Sequence, residues 1–129
     1  SFDLVLGFFV LHHLYALDDS IAAIARLVKS GGRMVFLEPN PFNPLYYVQM
    51  MVTPGMMWRG DGGIVRMRPS LVFRAMKGAG LEQVRMTRFG FFPPFAANQQ
   101  WGPRLEAVLE RVPVWNPFLP FQLFAAERP

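Results

Sequence analysis

The sequence predicts an α/β domain on an open, largely parallel sheet, and three observations carry that reading. A β-favouring run, Phe2-Asp3-Leu4-Val5-Leu6, comes first, and a segment with helical spacing follows it. Then comes Met34-Val35-Phe36-Leu37, a continuous apolar run of the kind that a strand buried on both faces of a parallel sheet shows. Two such strands joined by a helix close as a right-handed crossover with the strands parallel.

Each element has its own local signal. The first strand covers Phe2 to Leu6, and Gly7 interrupts it. Leu17-Asp18-Asp19-Ser20 offers side-chain oxygens and negative charge to a helix N-terminus. Ile21, Ile24, Ala25 and Val28 repeat at helical spacing with Leu27 widening the stripe, and Lys29 falls in the last turn. Gly31-Gly32 supplies the left-handed conformation that stops the helix. After the second strand, the prolines of "PNPFNP" exclude regular helix or central strand, and a short helix follows from about Leu45 to Val52. Residues 53–69, rich in Gly and Met with little periodicity, read as a loop on the substrate side. A helix runs from Ser70 through Lys77 and is closed by Gly78-Ala79-Gly80; a strand covers Leu81 to Arg88. "RLEAVLERV" is amphipathic, with Leu105, Val108, Leu109 and Val112 on one side, and a last strand lies around Gln122 to Ala126. No internal repeat or low-complexity linker divides residues 1–129, which read as a single unit.

Composition narrows the function classes. Apolar residues make up 52% of the 129, which fits either a piece whose partner covers part of its surface or an ordinary hydrophobic core. The chain has no Cys, hence no disulfide and no thiolate chemistry, and is compatible with a reducing cytoplasm. The net charge of +4 is scattered over Arg59, Arg66, Arg68, Arg74, Lys77, Arg85 and Arg88 and forms no run of the kind that marks a nucleic-acid arm. No apolar run approaches the ~20 residues of a membrane span. In open α/β sheets ligands bind outside the carboxyl ends of the strands. Here those ends are Gly7-Phe8-Phe9 and Glu38-Pro39-Asn40, the first places to look for chemistry.

Taken together, "FDLVLGFFVLHHL" followed by "LVKSGGRMVFLEPN" resembles the second half of a class I S-adenosylmethionine-dependent methyltransferase domain. Phe2 to Leu6 corresponds to that family's fourth strand, and Val28 through Arg33 to the turn entering the fifth. "AGLEQVRM" resembles the Ala-Gly-Phe element entering the sixth strand, with Gly80-Leu81 in place of Gly-Phe, and "FQLFAAERP" resembles the last, antiparallel strand. The resemblance implies a partial Rossmann-like sheet, strands four to seven with the last antiparallel, and flanking helices. It also implies that three strands belong upstream of Ser1. The family's glycine-rich turn after its first strand, and the acidic residue ending its second, have no counterpart here. "GDGG" at Gly60 to Gly63 follows no predicted strand and reads as a flexible loop rather than a phosphate cradle.

The resemblance places Gly7, Phe8, Phe9 and His12 at the cofactor, S-adenosyl-L-methionine, against the plainer reading of Gly7 as a strand-ending glycine. His13 and Glu38 are the candidate general bases, since imidazole can take a proton near neutral pH. The plainer readings are a helix-start His and a carboxylate satisfied by backbone N–H groups. Asn40, Tyr46, Tyr47, Met57 and Trp58 are candidate substrate contacts, with Met50, Met51 and Met56 adding adaptable apolar surface. Their alternative is helix core and exposed loop. Two His without a Cys or carboxylate ligand pattern make no metal site.

The implied function is methyl transfer to a small apolar or aromatic molecule, with this stretch inactive by itself. The competing reading is a non-catalytic module that dimerises or exchanges strands through the edge at residues 2–6, because a bare apolar edge pairs readily with another copy. A third option is association with a membrane surface through "FGFFPPF" and "VWNPFLPF".

Overall fold

The computed structural model describes residues 1–91 and 98–129. Its elements are β1 (Phe2–Phe8), α1 (Leu17–Ala25), β2 (Val28–Pro39), α2 (Pro44–Val52), α3 (Trp58–Asp61), α4 (Pro69–Gly78), β3 (Glu82–Phe89), α5 (Gly102–Leu109) and β4 (Phe121–Glu127). The four strands form one sheet in the order β1-β2-β4-β3. β1 runs parallel to β2, whereas β4 is antiparallel to both β2 and β3. The expected parallel crossover and antiparallel last strand are both present.

Register decides which side chains meet. Gly7 pairs with Phe36 and Val5 with Met34, while Phe124 and Ala126 of β4 stand opposite Phe36 and Met34. These residues point to the face covered by α1 and α4, where Phe36, Met34 and Phe124 pack with Ile21, Val72 and Met76 in the main core. Residues of the opposite parity, Leu4, Leu6 and Phe8 of β1 with Val35 and Leu37 of β2, lie on the other face. There Phe2, Leu4, Leu6 and Phe8 are each about half exposed, at 58%, 49%, 52% and 63%. β1 is also an edge strand.

Three sequence expectations change. The Gly31-Gly32 pair does not stop a helix. α1 ends at Ala25, and β2 begins at Val28, so both glycines and Lys29 lie in the strand. Between the pairs Phe2–Val28 and Leu4–Arg33, residues 29–32 stand opposite Asp3 alone, which makes a bulge. Gly31 adopts φ +75°, and a Cβ on Gly32 would sit 3.0 Å from the Asp3 carbonyl, so the pair serves the bulge. Second, no side chain caps α1, whose N-cap position is Ala16; Asp18 and Asp19 sit in its first turn, where their charge suits the dipole. Third, residues 53–69 are not all loop. They hold α3 and a 3-10 segment, Gly62–Met67, which bury Ile64 and Met67. Gly60 to Gly63 fall inside these short helical turns.

The amphipathic segment folds as α5, but its stripe is not in the core: Leu105, Val108 and Val112 are exposed. α5 is tied to β3 by polar contacts, Glu110 and Glu106 accepting from the N–H groups of Gly90 and Phe91. Of the "FGFFPPF" run, residues 92–95 lie outside the described residues.

Candidate functional site

The carboxyl ends of β1 and β2 hold a buried polar pair. Glu38 follows Phe36 on the helix-covered face, so its carboxylate lies beneath the loop leaving β1 and is fully buried. One oxygen, Oε1, accepts from the N–H groups of Val10 (2.9 Å) and Leu11 (2.7 Å). The other, Oε2, is 2.7 Å from Nδ1 of His12, itself only 3% exposed. Three charge-assisted contacts thereby compensate a carboxylate that would be costly to bury alone. An ionised Glu38 requires Nδ1–H as donor, so a neutral His12 presents the lone pair of Nε2.

The loop holding His12 is packed from below. The His12 carbonyl accepts from Nη2 of Arg66 at 3.0 Å, and a Cβ on Gly63 would lie 1.7 Å from the same oxygen. Gly63 is thus a position of close backbone approach. Its role could not be seen in "GDGG", because the contact spans about fifty residues of chain. His13 points elsewhere: its Nδ1 is 3.1 Å from the Gly60 carbonyl in an exposed contact.

Above the pair lies a cleft of about 600 Å³, lined by Phe9, His12, Pro39, Asn43, Leu45, Tyr46, Gln49, Phe91, Pro120 and Phe121. The lining is mostly aromatic and apolar, with few polar groups, which is the character of small-molecule sites. Phe9 reaches it from a left-handed backbone, φ +53°, a conformation that costs a non-glycine residue about 1–2 kcal/mol. Its N–H donates to the Leu37 carbonyl at 2.8 Å, and its ring packs edge-on against Phe121 at 5.8 Å. These contacts hold the strained turn and direct Phe9 away from the sheet face on which Phe8 lies.

The far wall is stapled by two asparagines. Nδ2 of Asn40 donates to the carbonyls of Pro117 and Leu119, and its Oδ1 accepts from the Phe42 N–H. Asn43 caps α2 by accepting from the Leu45 N–H and donates to the Phe118 carbonyl. Tyr47 donates to the Pro41 carbonyl at 2.7 Å. Burial pushes its hydroxyl pKa up, against a smaller lowering by Arg68, and so favours the protonated donor.

The structure therefore brings Phe9, His12 and Tyr46 to one cleft with Glu38 directly behind His12. It does not bring the other sequence candidates there. Gly7 faces the core, where the Phe36 ring occupies the space a Cβ would need. Phe8 lies on the uncovered sheet face. Asn40 is fully buried and bonded to backbone, and Tyr47 is turned to Pro41. Met57 and Trp58 are exposed and do not line the cleft. Asn43, Gln49, Phe91 and Phe121 line it without having been singled out; an Asn before Pro at a helix start is the one local signal that could have found Asn43. Among the described residues no three His, Cys, Asp or Glu side chains group to hold a metal, and no helix is long and apolar enough to cross a membrane.

A family model described as a methyltransferase domain matches residues 1–36. No curated protein matches the sequence. Solved structures match its fold. A SAM-dependent methyltransferase from Archaeoglobus fulgidus has a TM-score of 0.64 at 12% identity, covering 98% of this chain and 59% of its own. A Thermotoga maritima SAM-dependent methyltransferase, described as a possible histamine N-methyltransferase, has a TM-score of 0.64 at 12% identity, covering 100% and 56%. Phosphoethanolamine N-methyltransferase 2 of Haemonchus contortus, solved with S-adenosyl-L-methionine, has a TM-score of 0.60 at 14% identity, covering 100% and 34%. The chain thus spans between about a third and three-fifths of these neighbours' lengths. The methyltransferase resemblance read from the sequence is matched by the family model over β1, α1 and most of β2, and the fold of the solved structures extends over nearly the whole chain.

Proposed function

We propose, from this methyltransferase fold, that the chain forms the acceptor side of an S-adenosylmethionine-dependent methyltransferase of the cytoplasm. Its acceptor is a small apolar or aromatic molecule. The observation that carries the reading is the His12–Glu38 pair, set at the carboxyl ends of two parallel strands beside an aromatic cleft.

The cofactor's fit is partial and one-sided. The end of β1, with Phe9 and His12 just beyond it at the cleft, suits the methionine end. The ribose hydroxyls need a carboxylate; among the described residues no acidic side chain lines the cleft, and Glu38 behind His12 is already engaged by three donors. Bound S-adenosylmethionine would supply an electrophilic methyl group on sulfonium. For their part, Phe9, Tyr46 and Phe121 would hold the acceptor and exclude water, leaving positioning to account for most of the rate. His12 Nε2 would take the proton from the acceptor's nucleophilic atom, and Glu38 would hold the ring in the required tautomer.

Titration calorimetry tests this division. The 129-residue chain should give no saturable heat with S-adenosylmethionine, and the same chain preceded by the first half of such a domain should. Saturable binding by the chain alone would refute the one-sided site. No binding by the completed chain would refute the enzyme reading.

A second reading has its own observation, the exposed row Phe2, Leu4, Leu6 and Phe8 on an edge strand. Such an edge can accept a strand from a second copy, which makes the chain an assembly module. Sedimentation velocity over a wide concentration range decides it, and a monomer throughout ends that reading.

A further inference from the structure

A second apolar surface lies around the mouth of the cleft, away from the uncovered sheet face. Residues 39–58 carry no charge, and neither do residues 112–126. Asn40 and Asn43 join these two segments through the carbonyls of Pro117, Phe118 and Leu119, so two uncharged stretches distant in sequence become one surface.

α2 has the wrong pattern for a helix packed in a protein core. At about 100° per residue, Leu45, Val48, Met51 and Val52 fall within roughly 120° of one another. All four are exposed, Met51 by 78%, while Met50 on the opposite side is buried. Trp115 and Phe118, in the turn stapled to α2, are also about half exposed.

Three arginines flank this surface. Arg88 lies 5.9 Å from the Phe42 ring. Arg68 acts electrostatically on the Tyr47 hydroxyl, and Arg59 follows Trp58 in α3. None of Arg59, Arg68 and Arg88 makes an ion pair among the described residues. Nε of Arg88 is buried without a hydrogen-bond partner. The neighbouring Glu106 and Glu110 are committed to the backbone N–H groups of Phe91 and Gly90. Exposed apolar and aromatic side chains flanked by arginines match the interface of an anionic bilayer, where apolar groups enter the acyl boundary and guanidinium groups meet phosphates.

We propose that α2 and the Trp115–Phe118 turn form a docking surface for an anionic lipid bilayer, with the cleft opening beside it. The proposal does not depend on methyl transfer, since binding is read with no cofactor present.

The test is co-sedimentation of the protein with vesicles of phosphatidylcholine alone and of phosphatidylcholine mixed with phosphatidylglycerol. Partitioning to the anionic vesicles is expected to be at least ~10-fold stronger and to weaken with added salt. The double substitution Met51→Asp with Val52→Asp, at sites already open to water, should abolish it with an unchanged circular dichroism spectrum. Arg59→Gln with Arg68→Gln should weaken binding to the anionic vesicles only. Leu4→Thr, on the sheet face, should leave it intact. Absence of partitioning, equal binding to both vesicles, or full binding by the Asp variant would each overturn the proposal.

Discussion

Both faces of the sheet carry apolar side chains, the open one together with the Arg33–Glu127–Arg85 cluster, and these side chains meet different fates. On one, Met34, Phe36 and Phe124 are at most 2% exposed beneath α1 and α4. On the other, the apolar side chains of β1 stand about half in water. A strand's apolar pattern states what must be covered, not what covers it. The covered face contains its own explanation, because α1 and α4 bring Ile21, Val72 and Met76 from the same chain. The uncovered face has no such element among the described residues, and this contrast makes the stability of the molecule uneven.

The largest effect should fall at the centre of the covered face. Phe124 is fully buried, and Phe73 meets it edge-on at 6.2 Å. Phe124→Ala removes that contact and leaves a cavity, which costs about 3–5 kcal/mol in such cores. Urea unfolding followed by far-ultraviolet circular dichroism measures it. A loss below about 1 kcal/mol would mean that the covered face is no more closely packed than the open one.

Glu38 comes next, because it belongs to the covered face and to the cleft at once. Glu38→Ala leaves the N–H groups of Val10 and Leu11 and the His12 ring without their acceptor, a loss of about 3 kcal/mol. Glu38→Gln separates the two roles. Its amide oxygen can still take both backbone N–H groups, but its NH₂ donates to His12 Nδ1 and reverses the tautomer. If the proposed methyltransferase reading holds, methyl transfer by the chain joined to the first half of such a domain should then fall about 100-fold while the unfolding midpoint moves little. Equal rates for Glu38→Gln and the parent would leave the pair a purely structural staple.

What could be read from the sequence follows the range of the interactions concerned. The βαβ unit, the helix after "PNPFNP" and the helix closed by Gly78 to Gly80 were legible because strand runs, prolines and caps act over a few residues. The Gly31-Gly32 pair misled for the same reason. A left-handed glycine ends a helix or builds a bulge equally well, and the partner that decides between them, Asp3 across the sheet, is 28 residues away from Gly31. The cleft was half legible. Glu38 and the Leu-His-His turn were marked by their place at strand ends, yet which histidine meets the carboxylate depends on how the 3-10 turn at Leu11–His13 winds. Phe91 and Phe121 arrive from beyond any local signal, and the exposure of α5's apolar stripe is a tertiary fact that periodicity cannot carry.

The smallest expected effect is the one that bears most directly on the open face. Leu6 is 52% exposed, and its neighbours on that face, Leu4 and Phe8, are similarly open. Leu6→Thr keeps a strand-favouring, β-branched residue and removes apolar surface. In dilute solution, with the chain monomeric, the unfolding free energy should change by less than about 0.5 kcal/mol, as at other surface sites. If a second copy covers β1 at high concentration, the same substitution removes a buried leucine from that contact. The dimer dissociation constant should then rise about tenfold or more. Fluorescence-detected unfolding at low concentration and sedimentation at high concentration separate the two cases. A monomer destabilised by more than about 1.5 kcal/mol would show that some part of the chain already covers Leu6. The two faces of the sheet would then differ far less than their exposures indicate.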